Sequence, residues 1–176
     1  MHMPRFIYGG LYMTKQYKLD YNSPIGIVEI IGNDSAIYSI LFSERQQIIN
    51  IPNDVTPKVL LDCMEQLDAY FKGQRFAFTF PYHVEGTQFQ QQVWQALTNI
   101  AYAQLGTYKS IAMSIGNEKA IRAVGNANGK NKLSIVIPCH RIIGSNGTLT
   151  GYAGGLWRKE WLLQHEKLWQ KTLNRQ

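Results

Sequence analysis

The chain has 176 residues, of which 45% are hydrophobic, 17% charged and 12% aromatic; this is enough for a real core in one or two small domains and excludes a disordered segment. Two cysteines and four histidines exclude a disulfide framework and form no CxxC or HExxH pattern, so neither a metal nor a cofactor is expected. The net charge of +6 is unevenly placed, because residues 1–85 hold 7 basic and 9 acidic side chains and residues 86–176 hold 11 and 3; the second half fits either a polyanion partner or a solvated basic face.

Residues 1–12 have no clear hydrophobic period and are treated as an N-terminal extension, with Met13 a plausible alternative start. They lack the apolar core and small-residue cleavage site of a secretory signal, and no apolar run reaches the roughly 18 residues of a membrane span. A cytoplasmic protein is expected. From Tyr17 the pattern alternates as in strands: Tyr17 to Tyr21, then Ile25 to Ile31 after a Ser23-Pro24 turn, then Ala36 to Phe42 after Gly32-Asn33-Asp34. Thr56 and Pro57 have the form of an N-cap and first helical position. Val59, Leu60, Cys63, Leu67, Tyr70 and Phe71 then recur at helical spacing until Gly73. Cys63 on that stripe is expected to be a small buried hydrophobe. Phe76 to Phe80 alternates as a further strand. Residues 13–85 are thus expected to form a small antiparallel sheet with a helix, ending in the linker Pro81 to Gly86.

The charge balance changes sign there, and residues 86–176 are expected to form a mostly helical domain, which makes the whole chain α+β. Thr87 and Gln90 have the capping-box spacing, and Phe89, Val93, Leu97 and Ile100 give a helix to about Gln104. A second helix starts at Gly106-Thr107 and ends near Ser114. After a turn at Gly116-Asn117, Glu118 to Asn126 gives a third. Two short helices joined by a glycine-containing turn are a helix-turn-helix candidate. In the third helix Ile121 and Val124 are positions that can simply pack, while its alanines and glycine beside Lys119, Arg122, Lys130 and Lys132 make a slim, positive surface suited to close approach to DNA.

Leu133 to Ile137 is an apolar run leading into Pro138-Cys139-His140-Arg141-Ile142-Ile143. A thiol needs a neighbouring base or cation to become a nucleophile at neutral pH, and His140 and Arg141 are candidates. A base in turn needs an orienting group. Glu166 is one of only three acidic residues in this half, although a solvated carboxylate paired with Lys159 or Lys167 fits its position as well.

These residues carry a resemblance. Ile137-Pro138-Cys139-His140-Arg141, Gly151-Tyr152-Ala153-Gly154-Gly155 and Lys159-Glu160-Trp161-Leu162-Leu163 are similar to the active-site signature of the O6-alkylguanine-DNA alkyltransferases, also called methylated-DNA–protein-cysteine methyltransferases. The similarity runs upstream through Phe89 to Trp94, Gly106-Thr107-Tyr108 and Arg122 to Ala127 as far as Asn131, and Ser23-Pro24-Ile25-Gly26 resembles the start of that family's N-terminal domain. The resemblance implies a monomer that binds double-stranded DNA by a helix-turn-helix in the minor groove and flips the damaged base out. It implies Arg122 in the vacated stack, Tyr108 at the flipped nucleotide, and Ala123 and Ala127 facing the groove, with Lys119 and Lys130 on phosphates. It further implies Cys139 as acceptor thiol, His140 as a base acting through a water, Glu166 as its orienter, and Tyr108 as proton donor to guanine. Asn131 would brace the cysteine turn, and Ile142, Tyr152, Ala153 and Gly154 would line the guanine pocket.

The family commonly has proline where this chain has Lys132, often a second where it has Ser134, and in some members serine in place of Ala153. Some eukaryotic members have zinc ligands without counterparts here. Cys139 stands where non-catalytic alkyltransferase-like proteins have tryptophan. The expectation is single-turnover direct repair in the cytoplasm, at the nucleoid of a prokaryote or in the nucleus of a eukaryote. A lesion sensor without transfer, a helix-turn-helix regulator and a cysteine hydrolase are the alternatives.

Overall fold

A computed structural model describes residues 15–173; the expected extension at residues 1–12 lies outside them. The chain divides into two compact units, Met1–Glu85 and Gly86–Gln176.

In the first unit, strands β1 (Tyr17–Ser23), β2 (Gly26–Gly32) and β3 (Ile37–Phe42) form an antiparallel meander in that order. Its first turn is fixed by side-chain chemistry: Ser23 Oγ accepts from the Ile25 amide and donates to the Gly26 carbonyl, and Gly26 takes a left-handed φ of 108°. Leu19, Val28, Ile30, Ile37 and Ile40 are buried with Val59, Leu60, Cys63, Leu67, Tyr70 and Phe71 of helix α1 (Lys58–Phe71), which makes the apolar layer between sheet and helix.

Two details of this unit differ from the sequence expectation. Pro57, not Thr56, is the cap of α1, because the Thr56 hydroxyl is engaged with Asn53 instead. Phe76 to Phe80 forms no strand. The backbone amide of Thr79 is taken by the Gln66 side chain on α1 and Phe78 packs on the Tyr70 ring, so this stretch is bound through α1, and the chain pairs with β3 just beyond it, at the Ile37–Tyr82 bridge.

The second unit contains α2 (Gln88–Thr98), β4 (Gly106–Thr107), α3 (Tyr108–Ser114), α4 (Ile121–Gly129), β5 (Ile142–Ile143) and α5 (Leu156–Leu173). The Thr87–Gln90 capping box opens α2, and Thr107 caps α3 in the same reciprocal way with Ser110. Helix α2 stops at Thr98, short of the expected Gln104. The segment beyond it turns, with Ala103 at a left-handed φ of 58°, and lends backbone groups to Glu166 and Arg141. A turn at Gly116 (φ 72°) joins α3 to a 3-10 turn, Glu118–Ala120, that leads into α4. The expected third helix is therefore a tighter turn followed by an α-helix reaching Gly129. Val124 seats α4 in the core, and the Trp94 indole donates to the Ala127 carbonyl at 2.8 Å, tying α2 to α4. Among the described residues no helix is long and apolar enough to cross a membrane.

Candidate active site

Cys139, His140 and Arg141 lie on one 3-10 turn at the end of the apolar run, all three buried. Asn131, itself buried, fixes the turn: its Nδ2 donates to the Ile137 carbonyl at 2.9 Å and to Cys139 Sγ at 3.0 Å, and its Oδ1 accepts from the Leu133 amide at 2.9 Å. Burial pushes the Cys139 thiol above its ordinary value, and the Asn131 hydrogen bond and the positive charge of Lys159 pull against that rise.

Glu166, fully buried on α5, is the hub of the cluster. Its Oε1 meets His140 Nε2 at 2.8 Å and Arg141 Nη2 at 2.9 Å, while Oε2 accepts from Arg141 Nε and the Ala103 amide, each at 2.9 Å. Arg141 Nη1 continues to the Ile100 carbonyl at 2.7 Å. Burial alone would raise the Glu166 carboxyl, but the contacts with His140 and Arg141 outweigh it and hold the group well below the usual carboxylate range. Burial holds His140 below its ordinary value against the attraction of Glu166. Burial thus favours the neutral imidazole. A carboxylate can only accept, so His140 carries its proton on Nε2, and Nδ1, which is buried without a protein partner, is the nitrogen free to take one.

Lys159, also fully buried on α5, donates to the carbonyls of Ile142 and Thr150, and burial brings its amine down to about 8. The Thr150 carbonyl is shared with the Tyr108 hydroxyl, which donates to it at 3.2 Å. Tyr108, at the start of α3, is thereby linked to the strip Thr150–Gly155, in which Gly151 and Gly155 have left-handed φ values of 46° and 89°. A methyl group at Gly125 of α4 would lie 3.8 Å from the Tyr108 ring, so this ring bridges α4 and that strip.

The sequence matches the family models described as the 6-O-methylguanine DNA methyltransferase DNA binding domain over residues 88–168 and its ribonuclease-like domain over residues 16–83. A methylated-DNA–protein-cysteine methyltransferase of Methanosarcina barkeri is 46% identical over 147 residues, 82% of this chain and 93% of that protein. One of Haemophilus influenzae is 44% identical over 160 residues, 89% of each. The chain belongs to this family. Its fold agrees with the O6-methylguanine methyltransferase structure of Mycobacterium tuberculosis at a TM-score of 0.77 and 39% identity, covering 88% of this chain and 94% of that one. A Mycobacterium tuberculosis OGT solved in complex with DNA gives 0.78 and 40%, covering 87% and 94%.

Against that alkyltransferase frame, the residues singled out by sequence fall into three groups. Cys139 with Asn131 and His140 with Glu166 form two buried, hydrogen-bonded pairs joined through the Cys139–Arg141 turn, and Glu166 is buried rather than solvated. Arg122, Ala123, Lys119 and Lys130 are exposed on or beside α4, as a DNA surface requires. Ile142 is buried beside the turn, its amide bonded to the Cys139 carbonyl, and Tyr152, Ala153 and Gly154 lie on the glycine-rich strip. Ala127 is a correction. It is 3% exposed and packs toward α2 under Trp94, because the i, i+3 partner of Val124 falls on the inner face of α4. Ala123 alone of the two alanines faces outward. Arg141, a candidate activator of the thiol or a phosphate or carboxylate clamp by sequence, clamps the Glu166 carboxylate in a bidentate pair. Ile100 and Ala103 contribute through backbone groups, which leave no residue-type signal.

Proposed function

We propose that this protein repairs O6-alkylguanine in duplex DNA by moving the alkyl group onto Cys139, once per molecule. A base in a stacked duplex cannot present its O6 substituent to a buried thiol, so the nucleotide is extruded, at a cost of a few kcal/mol. Arg122 fills the vacated stack, and the exposed Lys119 and Lys130 hold phosphates, which position the protein without specifying sequence. Tyr108, Tyr152, Ala153, Gly154 and the backbone near Ile142 receive the guanine. A duplex substrate puts the work at the nucleoid of a prokaryote or in the nucleus of a eukaryote.

The observation that carries this reading is the buried Glu166–His140 pair with Nδ1 uncommitted, on the same turn as the thiol. His140 Nδ1 takes the thiol proton through a water, and Sγ attacks the alkyl carbon in line. The S–C bond forms as the C–O6 bond breaks. The leaving guanine takes a proton from Tyr108, which recovers it from the proton the thiol gave up. A thioether has no easy hydrolysis, so the thiol is not regenerated.

The test is the intact mass of the protein after incubation with duplex DNA carrying O6-methylguanine. One added methyl group per molecule, on the peptide containing Cys139, and none for Cys139→Ser is expected. Absence of an adduct would leave a lesion sensor, and repeated turnover would leave a hydrolase.

A further inference from the structure

We propose that Ile121 is a further DNA-contacting residue, an apolar wedge that enters the minor groove beside Arg122 and supports the extruded state; this rests on the direct-repair reading above. Ile121 opens α4 and is 41% exposed, whereas Val124, three residues on, is completely buried. Packing of the helix therefore falls to Val124, Ala127 and Asn128, and Ile121 is left outside the core. It begins the run Ile121, Arg122 and Ala123, three successive exposed residues.

Two features say what covers it. Its neighbours in sequence are charged: Lys119 and Arg122, both exposed, flank it against the single acidic Glu118, and Lys109, Lys130 and Lys132 are exposed elsewhere in a unit with only three acidic residues. That charge selects a polyanion rather than an apolar protein partner. The placement on the helix adds the second. Ile121 and Gly125 are four residues apart and share one face of α4, and Gly125 is where the Tyr108 ring lies. Ile121 is therefore one turn from the tyrosine that meets the flipped nucleotide and adjacent in sequence to the arginine that replaces it.

Proteins that open the minor groove commonly insert an aliphatic side chain at a base step, where it excludes water and holds neighbouring pairs apart. The Arg122 guanidinium can stack in the vacated position but remains hydrated at its edges. An isoleucine next to it supplies the dry contact with sugar and base edge that a cation does not.

The experiment compares wild type, Ile121→Ala, Ile121→Met and Arg122→Ala in single-turnover transfer from an O6-methylguanine duplex and from free O6-benzylguanine, with thermal melts as a check on folding. Ile121→Ala is expected to lose about tenfold on duplex DNA, the worth of one buried aliphatic side chain. On the free base it should stay within about twofold of wild type, and Ile121→Met should regain most of the duplex rate. A wild-type duplex rate for Ile121→Ala, or an equal loss on both substrates, would overturn the wedge. Failure of the underlying reading looks different: wild type itself gains no methyl group.

Discussion

Glu166 shows how much one side chain decides. It is a carboxylate without solvent, held ionised by four donors: the imidazole, two guanidinium nitrogens and a backbone amide. Such a group is costly to place and far more costly to break, because its removal strands the Arg141 cation in the interior. Glu166→Gln is accordingly expected to lower stability by about 3 kcal/mol or more in denaturant melts. It should also slow methyl transfer by roughly a hundredfold or more, since an amide, which can present either oxygen or NH2, no longer compels the imidazole to carry its proton on Nε2. If Glu166→Gln folded as well as wild type and transferred at the same rate, the carboxylate would have neither role. The sequence made His140 and Glu166 candidates by scarcity and type, and the motif named them. It said nothing of the bidentate grip by Arg141 or the two carbonyls on Lys159, because these depend on where a distant helix lands.

At the scale of elements, the best-read parts of the sequence were those with a local cause. The three strands, α1 and the capped starts of α2 and α3 follow from alternation, helical spacing and Thr hydroxyls within a few residues of their partners. Phe76 to Phe80 and the end of α2 escaped because side-chain partners on other elements claim their backbone groups. The loop after β3 is held in the same way. Asp20 on β1, its side chain buried, takes Arg45 in two hydrogen bonds at 2.7 and 2.9 Å and accepts from the amides of Ile49 and Asn50 at 2.8 and 3.0 Å. Burial would raise this carboxyl, but Arg45, Asn50 and Ile49 together hold it well below the usual range. A carboxyl depressed in the folded state contributes stability above its unfolded value of about 4 and loses that contribution as pH falls below it. Asp20→Asn should therefore cost about 2 kcal/mol at pH 7, discounted for the partly exposed Arg45, and show a shallower loss of stability below about pH 4. Parallel acid-unfolding curves for the two proteins would contradict this.

For the whole molecule, the division of charge at residue 85 becomes a statement about salt. Eleven basic residues against three acidic ones in residues 86–176 include three cations, Arg141, Arg158 and Lys159, that the structure commits to the interior. Lys109, Lys119, Arg122, Lys130 and Lys132 remain exposed for phosphate. Each phosphate neutralised releases counterion, so the logarithm of the DNA affinity should fall linearly with the logarithm of salt, and Lys130→Ala should make that slope shallower by about 1. An unchanged slope would remove Lys130 from the interface. Another consequence comes from the turn after α2. The Ala103 amide belongs to no helix or strand, yet it is donated to the buried carboxylate that holds His140. An amide in a surface turn ordinarily exchanges its hydrogen quickly, but this one opens only when Glu166 lets go. Its exchange is thus a built-in gauge of the reactive cluster, legible in the spectrum of a protein that carries no probe.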